Sequence, residues 1–232
     1  MKASNVVSDL KKISSVAKAK TSSWFFKTGK GEYGEGDKFI GVSVPNQRLI
    51  AKKYLDLSHS EIKKLLESKI HENRFTALEI LAMSFRKSDS KNKAKIAKFY
   101  FKNKKYVNNW DLVDTSASYI LGEYLSDKDR SILYKLAKSK VLWDRRIAVV
   151  ATHSFIKKGD FVDIIELSKY LMNDKEDLMH KAVGWMLREV GKKDRKTLID
   201  YLNVNSKLMP RTALRYSIEH FSPTERKKFM QK

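Results

Sequence analysis

Five polar or charged clusters recur along this chain, and each opens a stretch with helical apolar spacing. They are His71-Glu-Asn-Arg74, Asn109-Trp110-Asp111, Trp143-Asp-Arg145-Arg146, Met179-His180-Lys181 and Met209-Pro210-Arg211. With Arg74, Trp110, Arg146 and Lys181 as anchors the spacing is 36, 36 and 35 residues, and Arg211 follows 30 further on. A period of this size marks a helical-pair repeat, in which each pair buries its apolar stripe only against its neighbours. Partner helices are expected near 91–104, 130–138, 161–171 and 196–202. Prolines occur only at 45, 210 and 223, and no convincing run of alternating strand residues is present, so the chain reads as all-α. Stacked pairs form a superhelix whose second helices line a concave face, and corresponding residues of successive repeats then meet on one groove. The expected organisation is one α-solenoid domain over 1–232. An N-terminal amphipathic helix and a mobile Gly/Lys loop fill 1–38, and the repeats fill 39–232.

The charge of such a groove follows from composition. Lysine and arginine number 48 against 27 aspartates and glutamates, a formal net charge of +21 spread along the whole chain. That balance attracts a polyanion such as nucleic acid and fits poorly with a scaffold for ordinary proteins. No run approaches the roughly twenty apolar residues of a membrane span, and Met1 to Lys20 lacks the continuous apolar segment of a secretory signal. The absence of cysteine excludes disulfides and thiolate chemistry. A cytoplasmic protein is expected.

Within the repeats, Asn108-Asn-Trp-Asp-Leu-Val-Asp114 stands out. A helix starting at either asparagine, both good N-caps, places Trp110 and Asp114 at the i, i+4 spacing on one face. Its apolar stripe runs through Val113, Ala117, Ile120 and Tyr124, so the indole and the acid lie on the flank, where core gives way to surface. Trp143 shares a stripe with Ile147, Val150 and Ala151 and is assigned to the core, whereas Arg146 points off that stripe. In Lys181-Ala-Val-Gly-Trp185-Met-Leu-Arg188, Trp185 projects opposite Ala182, Val183, Met186, Leu187 and Val190, between two cations and beside Gly184. A mid-helix glycine costs about 1 kcal/mol relative to alanine, so something is expected to approach the backbone there. An indole in that setting suits a sugar-phosphate backbone or a base.

Other motifs carry less. Gly29, Gly31 and Gly34 match G-x-G-x-x-G, but no strand-to-helix context surrounds them, and a basic loop is the better reading. The histidines at 59, 71, 153, 180 and 220 show no metal-ligand spacing. His71 and His180 open helices and read as caps or surface residues. Basic stretches at 91–105, 191–195 and 225–228 suit phosphates, which position a duplex without reading it.

Four segments together resemble the AlkD family of DNA-alkylation-repair glycosylases: Val107 to Asp114, Leu142 to Ala148, Asp177 to Lys192, and Met209-Pro-Arg-Thr-Ala-Leu-Arg-Tyr216. The resemblance covers roughly 39 to 230. It implies a right-handed superhelix of HEAT-like repeats that embraces duplex DNA through a concave basic groove and excises N3- or N7-alkylated purines, working on the backbone with the base still stacked. Asp114 matches the family's catalytic carboxylate, Trp110 and Trp185 its aromatic walls, and Arg146 the arginine that grips the backbone at the lesion. Nearby Lys181, Arg188, Arg145, Arg211 and Arg215 are further expected DNA contacts. The resemblance implies no cofactor or metal, no membrane or obligate protein partner, and action as a monomer on alkylated double-stranded DNA. The rival expectation is a non-catalytic helical-repeat protein that binds damaged or branched DNA.

Overall fold

The structure, a computed structural model, describes residues 1–231 and divides into two compact units, Met1–Leu121 and Gly122–Lys232. The first contains α1 (Ala3–Lys12), α2 (Val16–Phe25), α3 (Val44–Lys53), α4 (His59–Leu66), α5 (His71–Lys87), α6 (Ser90–Lys102) and α7 (Trp110–Ala117). A π-helical turn covers Ser118–Gly122. The second contains α8 (Glu123–Leu125), α9 (Ser131–Ala137), α10 (Leu142–Ala151), α11 (His153–Lys157) and α12 (Val162–Tyr170), then α13 (Asp177–Lys193), α14 (Arg195–Asn205), α15 (Arg211–Ser217) and α16 (Pro223–Met230). The expected partner helices are α6, α9, α12 and α14, and the clusters that set the repeat open α5, α7, α10, α13 and α15. The chain is thus an all-α helical-repeat solenoid. No helix among the described residues is long and apolar enough to cross a membrane.

In the first unit α5 is the central element. Every residue from His71 to Ala82 is buried, and α1, α3, α4 and α7 pack on it. A helix buried on all sides must find partners for its polar side chains internally, and the two buried glutamates of α5 find theirs at long range. The Glu72 carboxylate accepts the backbone N–H groups of Ile40, Gly41 and Val42 at 2.8 to 3.3 Å. Glu79 accepts from Arg48 Nε at 2.9 Å and from the Thr115 hydroxyl at 2.5 Å. The segment between α2 and α3 is therefore pinned to α5 by its backbone. A bridge beside it adds Lys38 N–H to the Lys69 carbonyl and His71 N–H to the Lys38 carbonyl.

The N-terminus departs from a single amphipathic helix. It breaks over Ile13 to Ser15, where the Ser15 hydroxyl caps α2 by accepting from Lys18 N–H and the Ser15 N–H donates to the Ile40 carbonyl at 2.9 Å. Gly41 makes that approach feasible: its φ is +80°, and a Cβ there would lie 2.1 Å from the Ser15 carbonyl oxygen.

In the second unit α13 occupies the corresponding central place, against α10, α11, α12, α14 and α15. The stripe read from sequence is its buried face: Ala182, Met186, Leu187 and Val190 are fully buried and Val183 is 6% exposed. Asp194 caps α14 through the N–H groups of Lys196 and Thr197, and Ser222 with Glu225 forms a capping box on α16.

Candidate functional site

The helix carrying the indole and the acid begins as expected. Asn109 is the N-cap of α7, with extended backbone and its side-chain oxygen accepting from Trp110 N–H at 2.8 Å. Val113, Ala117 and Ile120 are fully buried, while Trp110 and Asp114 are half-buried on the flank of that stripe. The carboxylate therefore sits at the edge of a low-dielectric interior with access to the surface.

The surroundings of Trp110 were not legible in advance. Its ring stacks on Phe26 at 5.2 Å between centroids and 15° between planes, and it meets Phe25 edge-on at 5.9 Å. Phe26 stacks in turn on Phe39 at 5.0 Å, and Phe39 on His71 at 4.6 Å. The Gly/Lys loop, read above as a mobile basic segment, is thus bordered on both sides by aromatic rings that reach the candidate site. Within it Gly34 donates its N–H to the Lys27 carbonyl, and a Cβ at Gly34 would lie 2.3 Å from the Phe26 carbonyl oxygen. The aromatic run Trp24-Phe25-Phe26, next to glycines, was the available signal.

His71 differs from the cap or surface residue read from sequence. It is 2% exposed, and its Nδ1 lies 3.0 Å from Asp37 Oδ2 while its Nε2 lies 2.8 Å from Asp111 Oδ2. Arg74, 4% exposed, bonds the other oxygen of Asp37 at 2.7 Å and the Ser68 carbonyl at 2.9 Å. Burial on its own would push the His71 pKa down. The charge and hydrogen bond of Asp111, with the hydrogen bond of Asp37, outweigh both burial and the nearby Arg74 and raise it. Burial likewise pushes Asp37 up, but His71 and Arg74 hold it below the usual carboxylate range.

In the second unit the cations expected at DNA have different surroundings. Arg145 forms a two-pronged pair with Asp174, at 2.6 and 3.2 Å, and also donates to the carbonyls of Ser139 and Lys140. Arg146 is 4% exposed and donates to the Leu178 carbonyl at 2.6 Å. Both arginines thereby tie α10 to the chain just before α13 and to its first turn.

Lys181 pairs with Asp177 at 2.8 Å, and Arg188 pairs with Glu219. Those two cations line a cleft of about 700 Å³ with Arg215, Arg226, Thr212 and Tyr216. Arg211, on the surface, donates to the Met230 carbonyl at 2.7 Å. Trp185 is half-buried, donates its indole N–H to Glu189 at 3.2 Å and lies 5.8 Å from the His153 ring. Burial and then the charge of Lys157 push the His153 pKa down, which favours a neutral imidazole beside the indole. Trp143, assigned to the core, is half-buried.

The body that approaches Gly184 is α15. A Cβ on Gly184 would lie 2.4 Å from the Ala213 carbonyl oxygen and 2.5 Å from the Tyr216 Cβ. Gly184→Ala is therefore expected to destabilise the protein by about 1 to 3 kcal/mol, because a backbone carbonyl cannot turn aside as a side chain can. The gain in helix propensity, about 1 kcal/mol, offsets only part of this. Urea unfolding reads the difference, and an unchanged or raised midpoint would show that α15 gives way.

Comparison with known proteins bears on this arrangement in three ways. No curated protein matches the chain. Among solved structures, the chain is similar to one described as a predicted DNA alkylation repair enzyme from Enterococcus faecalis, with a TM-score of 0.69 and 16% identity over 90% of this chain and 97% of that one. At that identity the likeness concerns the fold. The sequence model of the family described as DNA alkylation repair enzyme matches residues 6–221, from within α1 to just beyond α15, and the chain belongs to that family.

Proposed function

We propose that this protein is a DNA glycosylase of base excision repair, hydrolysing the N-glycosidic bond of cationic N3- or N7-alkylated purines in duplex DNA. The observation that carries the reading is the pairing of Trp110 and Asp114. They lie one turn apart on a capped helix, half-buried at the boundary between core and surface. Alkylation at N3 or N7 leaves the purine positively charged, so it departs without a general acid. The C1′–N bond breaks with its electron pair passing to the base, which becomes neutral, and the sugar acquires oxocarbenium character. Asp114, ionised, faces that charge and orients the attacking water. Water oxygen forms the new C1′–O bond, and its proton passes to Asp114 and on to solvent. The π-face of Trp110 attracts the cationic nucleotide by about 0.5 to 2 kcal/mol, and Trp185 is assigned a second aromatic contact of that size. A neutral base leaves too slowly to be a substrate, so the lesion's own charge supplies selectivity.

The phosphate grip is assigned to the basic cleft of the second unit, through Lys181, Arg188 and Arg215, with Arg211 at the adjacent surface. Arg145 and Arg146 are assigned the indirect task of holding the start of α13, which carries Lys181, Trp185 and Arg188. Each lost phosphate contact should shallow the slope of log K against log salt by about 0.9. Arg215→Ala is accordingly expected to weaken duplex binding and reduce that slope by about one, similarly on alkylated and intact duplexes. An unaltered slope would remove Arg215 from the interface. The deciding experiment is release of 7-methylguanine and 3-methyladenine from methylated duplex DNA by the purified chain. Duplex binding without release of either base would leave a non-catalytic DNA-binding protein.

A further inference from the structure

We propose that His71 is a positioning residue for this excision site: donating from both ring nitrogens, to Asp37 and to Asp111, it locks the Gly/Lys loop against the first turn of the helix that carries Trp110 and Asp114. The proposal rests on the glycosylase reading for its kinetic consequence, but the clamp itself can be observed without any reaction.

Three connections meet at this imidazole. Asp37 ends the glycine-rich loop, and its carboxylate also takes Arg74 at 2.7 Å and the Asn109 amide at 3.4 Å. Asn109 is the cap of α7, and Asp111 is the second residue of that helix, with its other oxygen accepting from Leu112 N–H at 2.8 Å. The imidazole also meets two aromatic neighbours, Phe39 at 4.6 Å and Phe26 at 4.9 Å, and Phe26 is the ring on which Trp110 stacks. One side chain on the central buried helix thus fixes both the base of the loop and the start of α7. Near the other end of α7, Glu79 holds Thr115 beside Asp114, so α5 grips the candidate helix at both ends.

A neutral imidazole has one N–H and can donate to only one of the two carboxylates; the imidazolium donates to both. The charged groups facing it are Asp37 from the loop, Asp111 from α7 and Arg74 from its own helix, whose Nη2 lies 3.4 Å from Nδ1. Two carboxylates against one competing cation favour the protonated ring, in agreement with the raised pKa. The sign follows from that direction. The clamp's contribution is complete below the unfolded histidine value of about 6.5 and is lost as pH rises through the elevated folded value. At the acid end it is lost as pH falls through the depressed value of Asp37. Between those limits the loop is fastened.

The test uses the full chain with three readouts. In 15N spectra both ring nitrogens of His71 should be protonated at pH 7 and titrate together at higher pH. Trypsin cleavage at Lys27, Lys30 and Lys38, normalised to an unstructured peptide at each pH, should accelerate through the same titration. His71→Gln should be cleaved rapidly at every pH. Single-turnover release of 7-methylguanine should fall by about 10- to 10²-fold in His71→Gln, the usual cost of misplacing a reacting group, with duplex affinity retained. Asp111→Asn preserves shape if His71→Gln folds poorly, and it should lower the His71 titration midpoint and loosen the loop.

A neutral His71 at pH 7, or cleavage that ignores both pH and the two variants, would overturn the proposal. So would an active wild type whose base release is untouched by either variant. If the wild type releases no base while the 15N and cleavage results hold, the glycosylase reading fails and the clamp stands.

Discussion

Replacing Asp114 by asparagine is expected to slow single-turnover release of 7-methylguanine by about 10²- to 10³-fold, with duplex affinity within about twofold of the parent. Asparagine keeps the shape of the side chain and one acceptor oxygen but carries no charge. The loss therefore isolates what an ionised carboxylate contributes to an oxocarbenium-like sugar, about 2.7 to 4 kcal/mol of barrier. Ground-state binding is carried by other groups, chiefly cations on phosphate, so affinity is a control and not a second readout. Trp110→Phe should cost less, since a π-face remains, and Trp110→Ala more, because it also removes the partner on which Phe26 stacks. A parent that excises 7-methylguanine and an Asp114→Asn variant that does so equally fast would place the reacting carboxylate elsewhere.

What the sequence disclosed and withheld follows from the range of the interactions. Helix periodicity and N-caps are set within four residues, so the start of α7, the flank position of Trp110 and Asp114 and the buried face of α13 could all be read directly. The 36-residue spacing, one step up, located the partner helices. Pairings across the fold have no such signature. His71 meets Asp37 and Asp111, 34 and 40 residues away, and nothing within one turn of His71 announces either. A lone histidine at a helix start reads as a cap because its real partners are brought by tertiary packing. Gly184 is an intermediate case: its cost in a helix correctly signals a close approach, but only the packing of α13 on α15 identifies the body that approaches. Cations are the hardest class, since a lysine or arginine bound for a phosphate and one bound for an internal carboxylate look alike in sequence.

Arg145 tests that ambiguity with the second large effect. Its guanidinium is fixed on Asp174, which is 6% exposed in its side chain, and on two backbone carbonyls. Replacing Arg145 by methionine would retain much of its apolar stem but deprive the buried Asp174 carboxylate of its cation, with the Glu176 N–H still donating to it. Breaking a buried pair from one side costs about 3 to 5 kcal/mol, far more than the pair gains over apolar packing. For a chain of this length that corresponds to a melting temperature lowered by roughly 6 to 20 °C. The salt slope of duplex binding, measured below the new transition, should be that of the parent, in contrast to Arg215→Ala. The double variant Arg145→Met, Asp174→Leu removes both charges and should recover much of the lost stability, since an uncompensated carboxylate no longer has to be buried. If Arg145→Met instead melts like the parent and reduces the salt slope by about one, Arg145 exchanges Asp174 for a phosphate when DNA is bound. The carboxylate would then be a placeholder that keeps the cation oriented in the free protein.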